Sequence, residues 1–179
     1  MQGEKMRIHP ILLSSILAEA LGRGETSLDA ARPLGRYVLV GMLPHLVSAH
    51  QDARTLKEVF ASPKALDAAG LSVDMACWPL GRRGLGALLH RPVRVGRAWS
   101  NDVVLPDMRV SHQHAVLEQG EVPTITDLGS STGTFVNGQQ LLAQQPRVLR
   151  HADRVSLGGL PLTFLESVRL CGMLLQGNR

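Results

Sequence analysis

The chain has 179 residues, 44% of them hydrophobic, with two Trp, one Tyr, three Phe and a formal net charge of +4. It is long enough for one domain with an extension, or for one medium and one small domain, built on an aliphatic rather than an aromatic core. Residues 1–91 carry 11 Lys/Arg and 8 Asp/Glu, residues 92–168 carry 6 and 7, and residues 169–179 carry 2 and none, so the middle of the chain lacks the basic face and stacking aromatics of a nucleic-acid binder.

Residues 1–9 read as a loose start, and Pro10–Leu21 as an amphipathic helix. Leu13, Ile16, Leu17, Ala20 and Leu21 recur at three- and four-residue spacing, and Gly22 and Gly24 stop the helix. The same stretch also spells a miniature signal peptide, but Ser14 and Ser15 interrupt its apolar run and Glu4 sits in its basic part. Nowhere does an apolar run reach the ~18–20 residues needed to span a bilayer.

Further along, Ser27 and Asp29 open a short helical turn that Pro33 cuts off. Tyr37–Val40 is short and apolar, as in a buried strand. Two helical pieces, Pro44–His50 and Ala53–Phe60, are separated by the N-cap candidate Asp52. Ser62-Pro63 then starts another short helix that Gly70 ends. No motif in residues 1–71 connects to chemistry. Cys77 and Cys171 lie far apart without CxxC spacing and are expected to be reduced core residues.

From Leu71 the pattern changes to short alternating segments broken by Gly, Asn and Pro, first Ser72–Trp78, then Val93–Val95 and onward. Gly81, Gly84 and Gly86 form no phosphate loop, because no Gly-Lys-Ser/Thr and helix follow. Ser167–Gln176 returns to helical spacing as a closing helix.

Within the strand-rich part stand Gly96-Arg97, Asn101-Asp102, Ser111-His112-Gln113-His114, Gly129-Ser130-Ser131-Thr132-Gly133-Thr134, Asn137-Gly138 and Asp153-Arg154-Val155-Ser156-Leu157-Gly158. In order and spacing they resemble the forkhead-associated (FHA) signature over about residues 72–168. The resemblance implies a mainly β fold: a sandwich of about eleven strands over 72–168. A mostly helical extension at 1–71 and a short C-terminal helical tail at 169–179 flank it. It also implies binding of phosphothreonine peptides through loops at one end.

A phosphothreonine carries about −1.5 to −2 charges and needs several strong donors. Arg97 offers a fork of charged N–H groups, and by the resemblance Ser111 is a phosphate ligand. His112 stands where many members carry Arg, Lys or Asn. Ser131 supports the phosphate or its loop, and Thr132 stands where members often carry an asparagine that grips the peptide backbone. Gly96, Gly133, His114 and Asn137 are architectural by the same resemblance. Asn137-Gly138 signals a type I′ hairpin whatever the family.

Three rival readings stand against this one. Gly129-Ser130-Ser131-Thr132-Gly133 spells G-x-S-x-G, but a β-like segment follows instead of a helix, and His151 precedes Asp153. His112 and His114 form an H-x-H pair without further metal ligands at fixed spacing. An assembly protein that uses the fold without reading phosphate is the third. The expectation is a cytoplasmic, bacterial, non-enzymatic adaptor without cofactor or metal, binding neither nucleic acid nor membrane. Its partner is a threonine-phosphorylated protein, either a Ser/Thr kinase substrate or the kinase itself. For the N-terminal extension three roles stay open: packing on the sandwich, self-association as a homo-oligomer, or gating of the loops.

Overall fold

The computed structural model describes residues 8–42, 64–80 and 91–176. The expected helices at 44–50 and 53–60 and the Gly81–Gly86 stretch lie outside them. The fold is mainly β, with a helical N-terminal region and a short C-terminal helix. The described residues fall into two compact units, one holding 10–42, 64–80 and 165–176, the other 91–164 with Ile8 and His9.

In chain order the elements up to residue 80 are β1 (Ile11–Leu12), α1 (Leu13–Arg23), α2 (Ser27–Ala31), a 3-10 turn (Arg32–Leu34), β2 (Tyr37–Gly41), α3 (Lys64–Ala68) and β3 (Ala76–Pro79). Helix α1 starts three residues later than the sequence predicts because Ile11 and Leu12 pair with Cys77 and Ala76 as a strand. Two of the orphan N–H groups of its first turn donate to chain carbonyls, Leu13 to Met75 O at 3.0 Å and Ser14 to Val73 O at 2.8 Å. Ser72–Met75 close a turn, Met75 N–H donating to Ser72 O at 3.0 Å, so β3 begins at Ala76 and not at the expected Ser72. Gly24 ends α1 in the left-handed region at φ 62°, where glycine has no Cβ to clash. Thr26, one residue before the expected start, caps α2 through a reciprocal box with Asp29.

Strands β1, β3 and β2 lie side by side, antiparallel. Leu13, Leu17, Val38, Val40 and Leu66 share a buried cluster with Leu170 and Leu174 of the closing helix α4 (Ser167–Leu175). Each such Leu, fully buried, contributes ~1.5–3 kcal/mol. Cys77 and Cys171 are free thiols in the same cluster. Burial pushes the Cys171 thiol up to about 12 and raises Cys77 further still, so neither forms a thiolate near neutrality. Among the described residues no helix is long and apolar enough to cross a membrane.

The other unit is built from β4 (Val93–Gly96), β5 (Val103–Val104), β6 (Ala115–Gln119), β7 (Pro123–Asp127), β8 (Thr134–Val136), β9 (Gln139–Gln140), β10 (Pro146–Val148), β11 (Asp153–Leu157) and β12 (Leu160–Glu166), which runs on toward α4. One sheet has the order β10-β7-β6-β4-β5, and β12-β11-β8-β9 are neighbours in the other. Alternate residues point inward. Val93, Val95, Ala115, Leu117 and Ile125 are buried from the first sheet, Val136, Val155, Leu157, Leu162 and Phe164 from the second. The strands leave the polar motifs in the connections between them.

Asn137-Gly138 makes the β8–β9 hairpin with both residues at positive φ, 52° and 81°, as a type I′ turn requires. The Asn137 side chain also ties the turn to β11. Its Oδ1 accepts from Arg154 N–H at 2.9 Å, and its Nδ2 donates to Asp153 at 2.8 Å. Asn137→Ala is expected to cost about 1–2 kcal/mol, measured as a shift of the urea midpoint at unchanged slope.

Candidate functional site

Three connections converge on Ser111. Residues 97–102 follow β4, residues 105–114 follow β5, and residues 128–133 join β7 to β8. Arg97 N–H donates to Ser111 O at 2.9 Å and Ala98 N–H to His112 O at 3.1 Å, so the first two connections run together. From the third, Ser131 N–H donates to Ser111 Oγ at 3.0 Å.

Arg97 is half-buried, and its Nε donates to Val110 O at 3.2 Å. That bond fixes the guanidinium plane. Among the described residues no carboxylate pairs with Arg97, so the outer Nη edge remains for an external acceptor. Ser111 Oγ spends a lone pair on Ser131 N–H and keeps its own proton to donate. A charged fork beside a hydroxyl donor suits a tetrahedral oxyanion better than a neutral ligand.

His112, Ser131 and Thr132 are exposed on the same connections. The His112 backbone is held by Asn101, whose buried side chain donates to His112 O at 2.6 Å and to Ala98 O at 2.8 Å. Gly96 is compelled by this packing, since a Cβ there would overlap the His112 carbonyl and stand 2.9 Å from Asn101 Nδ2. Thr132 Oγ1 donates to Arg109 O at 2.8 Å.

His114 is fully buried behind the loops. Its Nδ1 accepts from Ser111 N–H at 3.0 Å, which places the ring proton on Nε2, the atom 3.2 Å from Gly133 O. The neutral imidazole thus bridges the Ser111 and Gly133 loops. Burial holds its pKa below 6.5, against the opposing Gly133 bond and the Asp127 charge. Protonation would set an N–H against the Ser111 N–H. The native state therefore prefers the neutral ring, and its stabilising contribution is full above about pH 6.5 and lost as pH falls through the lower native value. Wild-type melting temperature should fall between pH 7.5 and pH 5 more steeply than that of His114→Gln, which cannot titrate.

Asp127 is a member of the site that the motif reading passed over. Its buried carboxylate accepts from Gly129 N–H (2.8 Å), Ser130 N–H (2.9 Å), Ser130 Oγ (2.6 Å) and Thr134 Oγ1 (2.6 Å). Ser130 Oγ in turn accepts from Gly133 N–H at 3.0 Å. Together these shape the loop that presents Ser131. An Asp followed two residues later by Gly and then Ser is a turn signal that could have identified it. Among the described residues no cluster of His, Cys, Asp and Glu could hold a metal ion.

Residues 93–158 match the family model described as FHA domain. An ABC transporter ATP-binding/permease protein of Mycobacterium tuberculosis is 40% identical over 86 residues, 45% of this chain and 9% of its own length. Protein FraH of Nostoc sp. is 38% identical over 84 residues, 41% of this chain and 28% of its own length. The chain thus spans only a small part of these relatives. The FHA domain of the CT664 protein from Chlamydia trachomatis, 21% identical, aligns over 74% of this chain and 98% of its own with a TM-score of 0.50, a likeness of fold. Residues 93–158 are thus the segment that the FHA-domain model recognises, in a fold like that of a solved FHA domain.

Proposed function

We propose that the chain is a non-enzymatic adaptor whose β-sandwich, residues 72–168, binds a threonine-phosphorylated segment of a partner protein in Ser/Thr kinase signalling. The observation that carries the reading is that Arg97, anchored through Nε on Val110 O, and Ser111, whose Oγ accepts from Ser131 N–H, are held together by the backbone bond from Arg97 N–H to Ser111 O. The phosphate meets Arg97 and Ser111, with His112 and Ser131 flanking it. The partner is a kinase substrate or the kinase itself, and the setting is the bacterial cytoplasm. Affinity is of micromolar order, about −8 kcal/mol, because a short mobile peptide is ordered on binding. Threonine is preferred to serine by about fourfold for one buried methyl, ~0.8 kcal/mol.

Calorimetric titration with degenerate phosphothreonine, phosphoserine and unphosphorylated peptide pools tests this. The expected result is binding of the phosphothreonine pool, about fourfold weaker binding of the phosphoserine pool and none of the unphosphorylated pool, and equal heats from all three would refute the reading. Trp99 supplies an optical readout, being 70% exposed on the Arg97 connection, whereas Trp78 is fully buried. Phosphopeptide should change the emission of wild type but not of Trp99→Phe.

A second reading has an observation of its own. The unit of residues 10–42, 64–80 and 165–176 has an apolar core of its own. An assembly protein would use that unit for self-association and keep the FHA fold as a scaffold. Such a protein tolerates the loss of Arg97, and a phosphate reader does not.

A further inference from the structure

Gly158 and Gly159 form the tip of the β11–β12 hairpin at φ 59° and 81°, outside the set of residues that would face a phosphate. Gly158 nevertheless sits where the two phosphate-facing loops meet. Its N–H donates to Gly133 O at 3.2 Å, the carbonyl that also faces His114 Nε2. A Cβ on Gly158 would overlap the Arg109 carbonyl oxygen and stand 2.8 Å from Thr132 Oγ1. Thr132 Oγ1 donates to that same Arg109 carbonyl.

Arg109 is itself fixed. Its backbone N–H, Nε and Nη2 reach the Asp107 carboxylate at 2.9, 3.0 and 2.7 Å, and the next residue, Val110, supplies the carbonyl that anchors Arg97 Nε. A continuous series of contacts therefore runs from the hairpin tip through Arg109 to the Arg97 guanidinium. A second runs through Gly133 to the Ser131 loop. A threonine hydroxyl has one proton. Donated to Arg109 O, it is not available to a peptide carbonyl.

We propose that the Thr132 hydroxyl and the Gly158 hairpin tip form a latch on the Arg109 carbonyl that sets the spacing between the Arg97/Ser111 and Ser131 sides of the site, with Thr132 a positioning residue rather than a peptide ligand. The binding consequence rests on the phosphopeptide reading above, whereas the latch itself is a property of the unliganded protein. Gly158 must lack a side chain because the carbonyl it shelters occupies the place of a Cβ.

The test uses the full chain as wild type, Thr132→Val, Thr132→Ser, Gly158→Ala and the Thr132→Val/Gly158→Ala double variant. Amide hydrogen exchange at Ser131 and Gly133 is read without ligand, and affinity is read with the phosphothreonine peptide pool. Loss of one hydrogen bond in Thr132→Val should speed exchange and weaken binding by about tenfold, while Thr132→Ser stays within about twofold of wild type. The double variant should lose little more than the worse single one, because both changes open the same contact. Weakened binding in Thr132→Val with unchanged exchange overturns the latch and makes Thr132 a direct peptide contact. Unchanged exchange and unchanged binding in that variant overturn it equally. Faster exchange in a protein whose wild type binds no phosphopeptide supports the latch and removes the phosphate reading instead. Thr132→Val and Thr132→Ser change an exposed side chain, so the outcome stands even where Gly158→Ala does not fold.

Discussion

Arg97→Ala is expected to reduce phosphothreonine-peptide affinity by at least about 100-fold, or ~2.7 kcal/mol, while leaving the melting temperature within about 2 °C of wild type. The asymmetry follows from what the side chain touches. Among the described residues its side chain bonds only through Nε to Val110 O, and no carboxylate there depends on it. Truncation therefore takes one donor from the carbonyl of the buried Val110, and the space left by the half-exposed side chain lets water reach that oxygen, a small loss. A phosphate would lose its charged bidentate partner, which is a large one. Arg97→Lys should recover only part of the affinity. The ammonium keeps the charge but has neither the Nε that locks the group on Val110 nor the planar fork that matches two oxygens. Titration calorimetry of both variants beside differential scanning of their stability separates the effects. Full affinity in Arg97→Ala would move the function to the assembly reading and to the unit around α1 and α4.

What the sequence made legible was whatever is written in short local patterns. The Asn137-Gly138 turn, the Gly24 stop and the β-branched run at Tyr37–Val40 each encode a backbone conformation within a few residues, and each appears in the fold. The FHA resemblance added Arg97, Ser111 and His114 because they sit at fixed offsets in linked motifs. Contacts between distant segments left no such trace. Nothing near Ile11 announces that Cys77 will pair with it, and a strand took the place of a helical turn. Thr132 illustrates the same limit in the site. Nothing in its motif position announces that its hydroxyl donates to Arg109 O, 23 residues away. Asp127 was in plain view at the head of the Gly-Ser-Ser motif. Its importance lies in four donors converging on one buried carboxylate, which spacing alone does not count.

Asp127→Ala should be the most destabilising single change in the site, at about 3 kcal/mol or ~6–12 °C of melting temperature. The carboxylate is buried, and removing it strands two backbone N–H groups and two hydroxyls. One of them, on Thr134, is fully buried, with no water to replace the lost acceptor. Asp127→Asn should cost less, about 1–2 kcal/mol, because one amide oxygen still serves Gly129 and Ser130 while the Thr134 and Ser130 hydroxyls must turn to accept from the amide. Acid dependence provides an independent check. Burial pushes the Asp127 pKa up, but the bonds from Ser130, Thr134 and Gly129 outweigh it and hold the group below 3.8. The native state thus favours the ionised form, so its contribution is full above about pH 3.8 and disappears as pH falls through the lower native value. Wild type should lose stability over that acid window, and Asp127→Ala should lose less there. Phosphopeptide affinity must fall in Asp127→Ala too, although Asp127 is four residues from Ser131, because Ser131 N–H reaches Ser111 only in the loop shape that Asp127 imposes. A variant with a lowered melting temperature and wild-type affinity at 10 °C would show that the loop keeps its shape without the carboxylate, and would place the shaping role on His114 and the Gly133 carbonyl.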